Sequence, residues 1–322
     1  MGAEKYVFFN GAGISISAGL PDFRSSNGIF KLKLGDKTTS YDLFDASQCL
    51  QNHDRYLNWL QGMGKLYDMI SEVKPTSFHH FLTRLNKQGK LLRVYTQNID
   101  ELEFKAGLKK DKVVLLHGTI HNVFCVQCQH IQRTKTCIDT FNKGEVQACT
   151  KCVKVAEERK TKGLRERSVG TLRPQVVLYN EPHPEGDYIA KMLKKDRKKQ
   201  HIIVIIGTSL KVHGFKQAIK DISIGNQVWL VNPDENLVVP SDLKSVITKT
   251  LHMTADEFVT HMDTHVLKQT TMDYFVIKTP KKKENLDNIT KAQIEKAVDT
   301  DPENKPKIKS KVLGPFIVKK SK

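Results

Sequence analysis

Residues 6–15 read YVFFNGAGIS, a short apolar run that ends in a glycine-rich turn. Similar apolar runs, each ending abruptly in polar or glycine-containing sequence, occupy residues 91–95, 113–116, 176–179, 202–206 and 228–231. Continuous Val, Ile and Leu runs bounded by turn residues are typical of strands that are buried on both faces. The pattern therefore predicts an α/β fold with a doubly wound parallel sheet covered by helices.

Two segments between these runs predict crossover helices. Residues 77–87 follow Pro75 and the capping residues Thr76 and Ser77, and they end before Gly89; residues 185–199 are amphipathic. In open parallel sheets the ligand lies beyond the carboxyl ends of the strands. The unusual polar clusters of this chain follow the predicted strands, so we expect the functional site at that edge.

Two CxxC pairs, CVQC and CTKC, are separated by twenty residues. Each pair presents two thiolates from one tight turn, and two such turns complete a tetrahedral zinc site. The predicted ligands are Cys125, Cys128, Cys149 and Cys152. Four thiolates leave no open coordination position, so this zinc is predicted to stabilise structure while the chemistry occurs elsewhere. Such spacing also favours a reducing compartment.

The turn GAGIS, residues 11–15, is a candidate phosphate-binding loop. Glycines directly after a strand let the backbone approach a pyrophosphate, and the amides of the next helix can face the anion. The third glycine of the dehydrogenase fingerprint is missing, because Ile16 stands at its position. A simple tight turn is the alternative interpretation. The following Asp22, Phe23 and Arg24 add a carboxylate, an aromatic ring and a guanidinium.

Charge and hydropathy limit the classes of function. The chain has 322 residues and a net charge of +17, with basic residues concentrated at 154–173, 191–200 and beyond Thr279. Such a balance attracts polyanions such as nucleic acid, although a solvated face is the alternative. No run approaches the ~18 apolar residues of a membrane span, and a strand-like segment follows Met1 closely. The sequence predicts a soluble intracellular protein with no membrane partner and with a disordered tail that carries a nuclear-directing signal near Lys281.

The motifs, taken in order, resemble the sirtuin family of NAD-dependent protein lysine deacylases. They are GAGIS, GLPDFR, TQNID, LHG, the paired CxxC motifs, GTSL and VNPD, and they span roughly residues 5–265. The resemblance implies a Rossmann-like NAD-binding domain at 1–25, 75–117 and 173–278. It also implies a smaller inserted domain, made of a helical module at 26–74 and a zinc ribbon at 118–172, with a basic tail at 279–322.

The resemblance implies a role for His117 as the general base. In the family, the acetyl oxygen attacks the nicotinamide ribose, nicotinamide leaves, and a histidine then deprotonates a ribose hydroxyl so that it can attack the resulting imidate. An imidazole can accept a proton at neutral pH, whereas Lys or Arg is already charged. The alternative is a structural histidine at a strand end.

The cofactor-binding residues are implied in the same way. Asn98 and Asp100 match the nicotinamide pocket, although an Asx turn is their alternative role; Gln97 matches a ribose contact, and Thr208 and Ser209 match phosphate or ribose contacts. The complete predicted NAD set is Gly11, Ala12, Gly13, Ser15, Asp22, Phe23, Arg24, Gln97, Asn98, Ile99, Asp100, Gly207, Thr208, Ser209, Asn232 and Asp234.

The substrate side is expected to bind an acetyl-lysine peptide as an added strand. The implied contacts are Val176 in the acyl-lysine tunnel, together with Tyr179, Asn180 and Glu181. Asn180 stands where the family usually has glycine, so its side chain is expected to affect the width of the tunnel or the register of the peptide.

Three strings, at residues 22–33, 172–187 and 207–215, resemble the fungal nuclear sirtuins that deacetylate histone H3. The resemblance implies an acetylated histone as substrate, chromatin association through the basic surface and a nuclear location, with a cytoplasmic location as the alternative. Mono-ADP-ribosyl transfer and a non-enzymatic chromatin scaffold remain the rival functions.

Overall fold

The computed structural model describes residues 5–21, 44–197 and 200–266. The strands are β1 (Tyr6–Asn10), β2 (Leu91–Thr96), β3 (Val113–Leu115), β4 (Gly118–Cys125), β5 (Ile131–Arg133), β6 (Leu172–Val176), β7 (Ile202–Ile206), β8 (Gln227–Val231) and β9 (Lys249–Leu251). The α-helices are α1 (Ala46–Cys49), α2 (His53–Glu72), α3 (Ser77–Lys87), α4 (Leu102–Lys105), α5 (Ile138–Asn142), α6 (Thr150–Thr161), α7 (Gly186–Asp196), α8 (His213–Ser223), α9 (Ser241–Lys244) and α10 (Ala255–His261).

Six strands form a parallel sheet in the order β3-β2-β1-β7-β8-β9. The chain builds outward from β1 to β3 on one side and from β7 to β9 on the other, so the strand order reverses between β1 and β7. Ligands of such sheets bind at this switch point, outside the carboxyl ends of the strands. The doubly wound fold and five of its predicted strands are confirmed; the short edge strand β9 was not predicted.

Both faces of the large sheet are covered. Successive residues of β1 point in opposite directions, so they contact different layers. On one face Phe8 packs edge-on against Phe78 of α3, with ring centroids 5.7 Å apart. On the other face Phe9 stacks on Tyr95 at 4.9 Å and meets Phe215 of α8 at 5.6 Å. These aromatic contacts fix β1 between two helical layers, and β1 carries the glycine turn at its end.

The predicted parallel strand over residues 176–179 is wrong. Val176 instead ends β6, which pairs antiparallel with β4 in a separate three-stranded sheet of order β5-β4-β6. Residues 177–179 belong to no strand, and their burial alternates, with Leu178 buried and Val177 and Tyr179 half-buried, so the apolar run did not mark a strand buried on both faces. Beyond β6, Val177 donates its N–H to the carbonyl oxygen of His117, at 3.0 Å.

The small sheet shares one apolar cluster with α1 and α2, which includes Trp59, Phe141 and Ile120. The guanidinium of Arg173 lies over the rings of Trp59 and Phe124, 5.6 and 5.4 Å from their centroids. Helical module and ribbon therefore pack on each other, while the predicted domain boundaries stay a prediction. Residues 26–43 of the module and the predicted tail at 279–322 lie outside the described residues.

Predicted and observed helices agree closely. The helix predicted at 77–87 is α3, with a capping box in which the backbone N–H of Thr76 donates to the ring of His79. The helix predicted at 185–199 is α7, which ends at Asp196; residues 198 and 199 lie outside the described part. None of the helices that the structure describes combines the length and apolarity needed to cross a bilayer.

Candidate active site

The glycine turn after β1 meets the turn after β7 at the switch point. The N–H of Gly13 donates to the carbonyl oxygen of Gly207 at 2.8 Å, and Gly207 has a φ of +65°. A Cβ on Gly11 would lie 2.5 Å from the Gly207 oxygen, and one on Gly13 would lie 2.5 Å from the Gly207 Cα. This contact leaves no room for side chains. The two turns together form part of the wall of a cleft of about 1420 Å³.

A chain of polar side chains runs from the glycine turn to the end of β2. The hydroxyl of Ser15 donates to Asp100 Oδ2 at 2.8 Å, and the amide of Asn98 donates to Ser15 Oγ at 3.2 Å. The backbone N–H of Leu102 donates to the second Asp100 oxygen at 3.0 Å. Burial nevertheless raises the pKa of the Asp100 carboxyl.

Asn98 presents an unused acceptor at the edge of the cleft. Among the described residues, its buried Oδ1 has no hydrogen-bond partner, although Asn98 and Ile99 both line the cleft. A buried polar atom without a partner is costly, so it indicates a ligand that donates a hydrogen bond there. The alternative role of this segment, an Asx turn, is also observed, because the N–H of Leu102 donates to the side chain of Asp100.

His117 lies two residues after the end of β3 and lines the same cleft, half-buried. Its Nδ1 lies 2.9 Å from the carbonyl oxygen of Gln97, which can only accept a hydrogen bond. Nδ1 therefore carries the proton of the neutral imidazole, and Nε2 is left as the basic nitrogen. Gln97 is itself held by its backbone bond to Asn10 and by the hydroxyl of Thr208, which donates to Gln97 Oε1 at 2.8 Å.

The opposite end of the cleft is built on β7 and β8. Asn232 donates from Nδ2 to the carbonyl oxygen of Thr208 at 3.1 Å and accepts from the N–H of Asp234 at 2.9 Å. Ser209, Asn232 and Asp234 all line the cleft, as do Ala12 and Gly207. Asp234 is exposed and its carboxylate accepts from the N–H of Asn236, so it shapes the rim.

The segment predicted for the substrate borders the cleft between β6 and α7. Asn180 has a φ of +63°, a left-handed conformation that Asn tolerates better than most residues, and its Nδ2 donates to Asp45 Oδ2 at 2.6 Å. Its side chain thus bonds to Asp45 at the start of α1. Glu181 forms a two-bond ion pair with Arg173, and Val176 and Tyr179 line the cleft.

The four cysteines of the CxxC pairs converge in the ribbon. Their sulfur atoms all lie within 4.8 Å of one another, with Cys125 to Cys152 at 3.7 Å and Cys128 to Cys149 at 3.8 Å. A tetrahedron with Zn–S bonds of about 2.3 Å has S···S edges of about 3.8 Å. The thiols are therefore arranged for one structural zinc ion.

Three predicted residues, Asp22, Phe23 and Arg24, lie outside the described residues. Sequence reasoning also missed two residues beside this site, His79 and Glu103. Both are fully buried, and their nitrogen and oxygen atoms lie within 4.8 Å of the Asp100 carboxylate. The available signal was the separation of Asp100 and Glu103 by three residues, which a helical turn brings together.

Comparison with known proteins relates this geometry to a family. The model of the Sir2 family matches residues 11–214. Among curated proteins, NAD-dependent histone deacetylase HST4 of Saccharomyces cerevisiae is 38% identical over 66% of this chain and 62% of the relative. NAD-dependent protein deacetylase hst4 of Schizosaccharomyces pombe is 35% identical over 77% of this chain and 66% of the relative. The chain thus spans less than two thirds of the length of these two relatives.

Solved structures share the fold. A structure titled "Sir2-p53 peptide-NAD+" is 23% identical, covers 81% of this chain and 92% of its own, and superposes with a TM-score of 0.63. One titled "Sir2 bound to acetylated peptide" gives 23% identity, the same coverages and a TM-score of 0.62. The matching family model, the parallel sheet with its switch-point cleft, and the inserted four-cysteine ribbon lead to one conclusion: the chain belongs to the Sir2 family.

Proposed function

We propose that this chain is an NAD-dependent protein lysine deacetylase that acts on acetylated histones in the nucleus. The observation that carries the proposal is His117, a half-buried imidazole whose Nδ1 is held by the Gln97 carbonyl, so that Nε2 is the basic nitrogen. It lines the same cleft as the glycine turns and Asn98. The two curated relatives are named as NAD-dependent deacetylases, one of them a histone deacetylase.

The described residues fit the dinucleotide. Asn98 Oδ1 supplies an acceptor for the N–H of the nicotinamide carboxamide, and Asp100 fixes Ser15, which in turn fixes Asn98. The Gly11–Gly13 turn, which carries no side chain larger than a methyl group, lets the pyrophosphate approach the backbone. Thr208, Ser209, Asn232 and Asp234 then serve the ribose and adenosine end, and Asp22, Phe23 and Arg24 complete the nicotinamide side.

When bound, NAD supplies an activated ribose carbon that accepts the acetyl oxygen as nicotinamide leaves. The chain contributes position and proton transfer. His117 Nε2 takes a proton from a ribose hydroxyl, a step that a positioned base typically accelerates about 10²- to 10⁴-fold. The bond from Nδ1 to Gln97 O stabilises the imidazolium that forms, because the donor becomes more strongly polarised.

The acetylated lysine is proposed to enter between the 176–181 segment and residues 210–213, which both line the cleft. Val176 is buried and apolar, which suits a neutral acyl-lysine stem. Asn180 keeps its side chain on Asp45, so it occupies the usual glycine position without turning into the tunnel. The net charge of +17 supports association with chromatin through nucleic acid phosphates.

Incubation of the full chain with NAD and acetylated histone peptides, read by mass spectrometry, tests the proposal. We expect nicotinamide, O-acetyl-ADP-ribose and deacetylated peptide in equal amounts, and no turnover in a His117→Tyr variant. ADP-ribose attached to protein indicates a mono-ADP-ribosyltransferase instead. No nicotinamide release from a folded, zinc-loaded chain indicates a non-enzymatic scaffold. Fractionation of tagged chain between nucleus and cytoplasm tests the location.

A further inference from the structure

His79, Asp100 and Glu103 form a buried polar cluster behind the Ser15–Asn98 pair. His79 and Glu103 have no exposed surface, and Asp100 is 6% exposed. One ring nitrogen of His79 and one carboxyl oxygen of each acid lie within 4.8 Å of one another. Two carboxylates this close in a buried site repel each other strongly, because little water screens their charges. At least one of the two carboxyl groups must therefore keep its proton.

The ring of His79 is neutral and carries its proton on Nε2. The backbone N–H of Thr76, which can only donate, lies 3.1 Å from His79 Nδ1. Nδ1 is therefore an acceptor, and the proton of the neutral ring is on Nε2. Burial lowers the pKa of His79 to about 3, which keeps the ring uncharged. In the described part of the chain, Nε2 has no partner within hydrogen-bond criteria, so its N–H is a donor available to a nearby carboxyl oxygen.

The hydrogen bonds favour ionisation of Asp100 rather than Glu103. Asp100 accepts from the Ser15 hydroxyl and from the Leu102 N–H, and both bonds stabilise a carboxylate. In the described part of the chain, neither Glu103 oxygen has a partner within hydrogen-bond criteria. Burial raises the pKa of Glu103 to about 8, and the negative charge of Asp100 adds to this shift.

We propose that Glu103 is a positioning residue which stays protonated at neutral pH and so keeps a second negative charge away from the Asp100 carboxylate behind the cleft. Asp100 in turn fixes Ser15, and Ser15 fixes the amide of Asn98. Loss of the Glu103 proton places a second negative charge beside Asp100 and disturbs the hydrogen bonds that link Asp100, Ser15 and Asn98. The expected effect on turnover rests on the proposed function, whereas the effect on stability does not.

Thr96 of β2 and Asn10 of β1 face Glu103 as neutral polar side chains, and both lower its pKa, but burial and the charge of Asp100 outweigh them. Around Asp100, the charge of Glu101 raises its pKa and His121 lowers it, while His121 Nε2 contacts the Asp100 carbonyl at 3.0 Å. His80 acts only on His79. Among the described groups, Asp100 is thus the ionised neighbour that matters most for Glu103.

The first experiment follows the unfolding equilibrium of wild type and Glu103→Gln between pH 5 and 9. A carboxyl whose pKa is about 8 in the folded state and about 4.3 in the unfolded chain destabilises the fold as pH rises through that window. The ratio of the wild-type folding constant to that of Glu103→Gln should therefore fall about tenfold per pH unit between pH 5 and 8 and then level. Glu101→Gln is the matched control and keeps the wild-type slope. Parallel pH curves for wild type and Glu103→Gln overturn the proposal.

The second experiment uses wild-type protein only, so it does not depend on whether a variant folds. Infrared spectra of wild type at pH 7 should show the carbonyl band of a protonated carboxyl, and this band should disappear above pH 9. A spectrum at pH 7 without it overturns the proposal.

The third experiment measures nicotinamide release from NAD and acetylated peptide. The wild-type rate should fall above pH 8, and Glu103→Gln, which is neutral at every pH, should keep its rate to pH 9.5. An identical alkaline fall in both proteins contradicts the positioning role. If neither protein turns over while the stability and infrared results hold, the proposed function fails and the protonated Glu103 stands.

Discussion

Gly118 joins the candidate base to the small sheet, and its replacement by alanine tests that junction. Its φ is +74°, and a Cβ there would lie 2.0 Å from the carbonyl oxygen of Gln175 on β6. Gly89 has a similar φ of +69° but has nothing within 4 Å of a built Cβ. Gly89→Ala therefore isolates the cost of a left-handed alanine, whereas Gly118→Ala adds a collision with backbone.

The expected costs differ clearly. A left-handed alanine costs about 1–2 kcal/mol, which is the whole effect at Gly89. The collision at Gly118 forces β6 to shift, which typically costs about 1–3 kcal/mol more, for a total of about 2–5 kcal/mol. Nicotinamide release should also fall in Gly118→Ala, because His117 O and Val177 N–H bond across the same crossing.

Urea unfolding of both zinc-loaded variants, followed by circular dichroism, measures the difference. Equal midpoints for Gly118→Ala and Gly89→Ala would refute the reasoning, because the collision is then absent or is relieved without cost. Normal activity in a clearly destabilised Gly118→Ala would show that the crossing does not position the imidazole.

Three further perturbations have defined outcomes. His117→Tyr should lower turnover at least about 100-fold, measured by mass spectrometry of the products, while zinc content and melting temperature stay near wild type. Cys125→Ala should lose zinc, measured by atomic absorption, and should unfold the ribbon and abolish turnover indirectly; retained zinc would contradict the four-thiol site. Asp196→Asn leaves the buried Arg93 without its charged partner at 2.7 Å, so urea unfolding should show a loss of about 3–5 kcal/mol. Asp242→Asn is its control, because the Asp242 side chain is 35% exposed, and it should show no measurable change.

The large sheet was predictable because β1, β2, β3, β7 and β8 are continuous apolar runs that end in turn residues. The same signal failed at residues 176–179, since an apolar run shows neither whether a segment becomes a strand nor in which direction the strand runs. Edge strand β9 is three residues long and partly exposed, so it leaves almost no pattern. Local sequence therefore reveals which segments are buried, and pairing partners depend on the whole fold.

The candidate site was predictable where a motif is contiguous. Residues 97–100 and 116–118 each follow one strand, and the sheet brings the two strand ends together. His79 and Glu103 gave no such signal. Each is a polar residue within a helix, which usually indicates solvent exposure. Glu103 is only three residues from Asp100, whereas His79 meets Asp100 only because α3 packs behind β2.

The short connection between the two sheets has a consequence for protein engineering. Only Leu116 and His117 separate β3 from β4, so two rigid frameworks, rather than a long loop, hold the imidazole. The exposed stretch after α6, near Gly163, belongs to neither framework and borders open solvent. Grafting a recognition peptide into that stretch should redirect the protein to a chosen target without altering its chemistry.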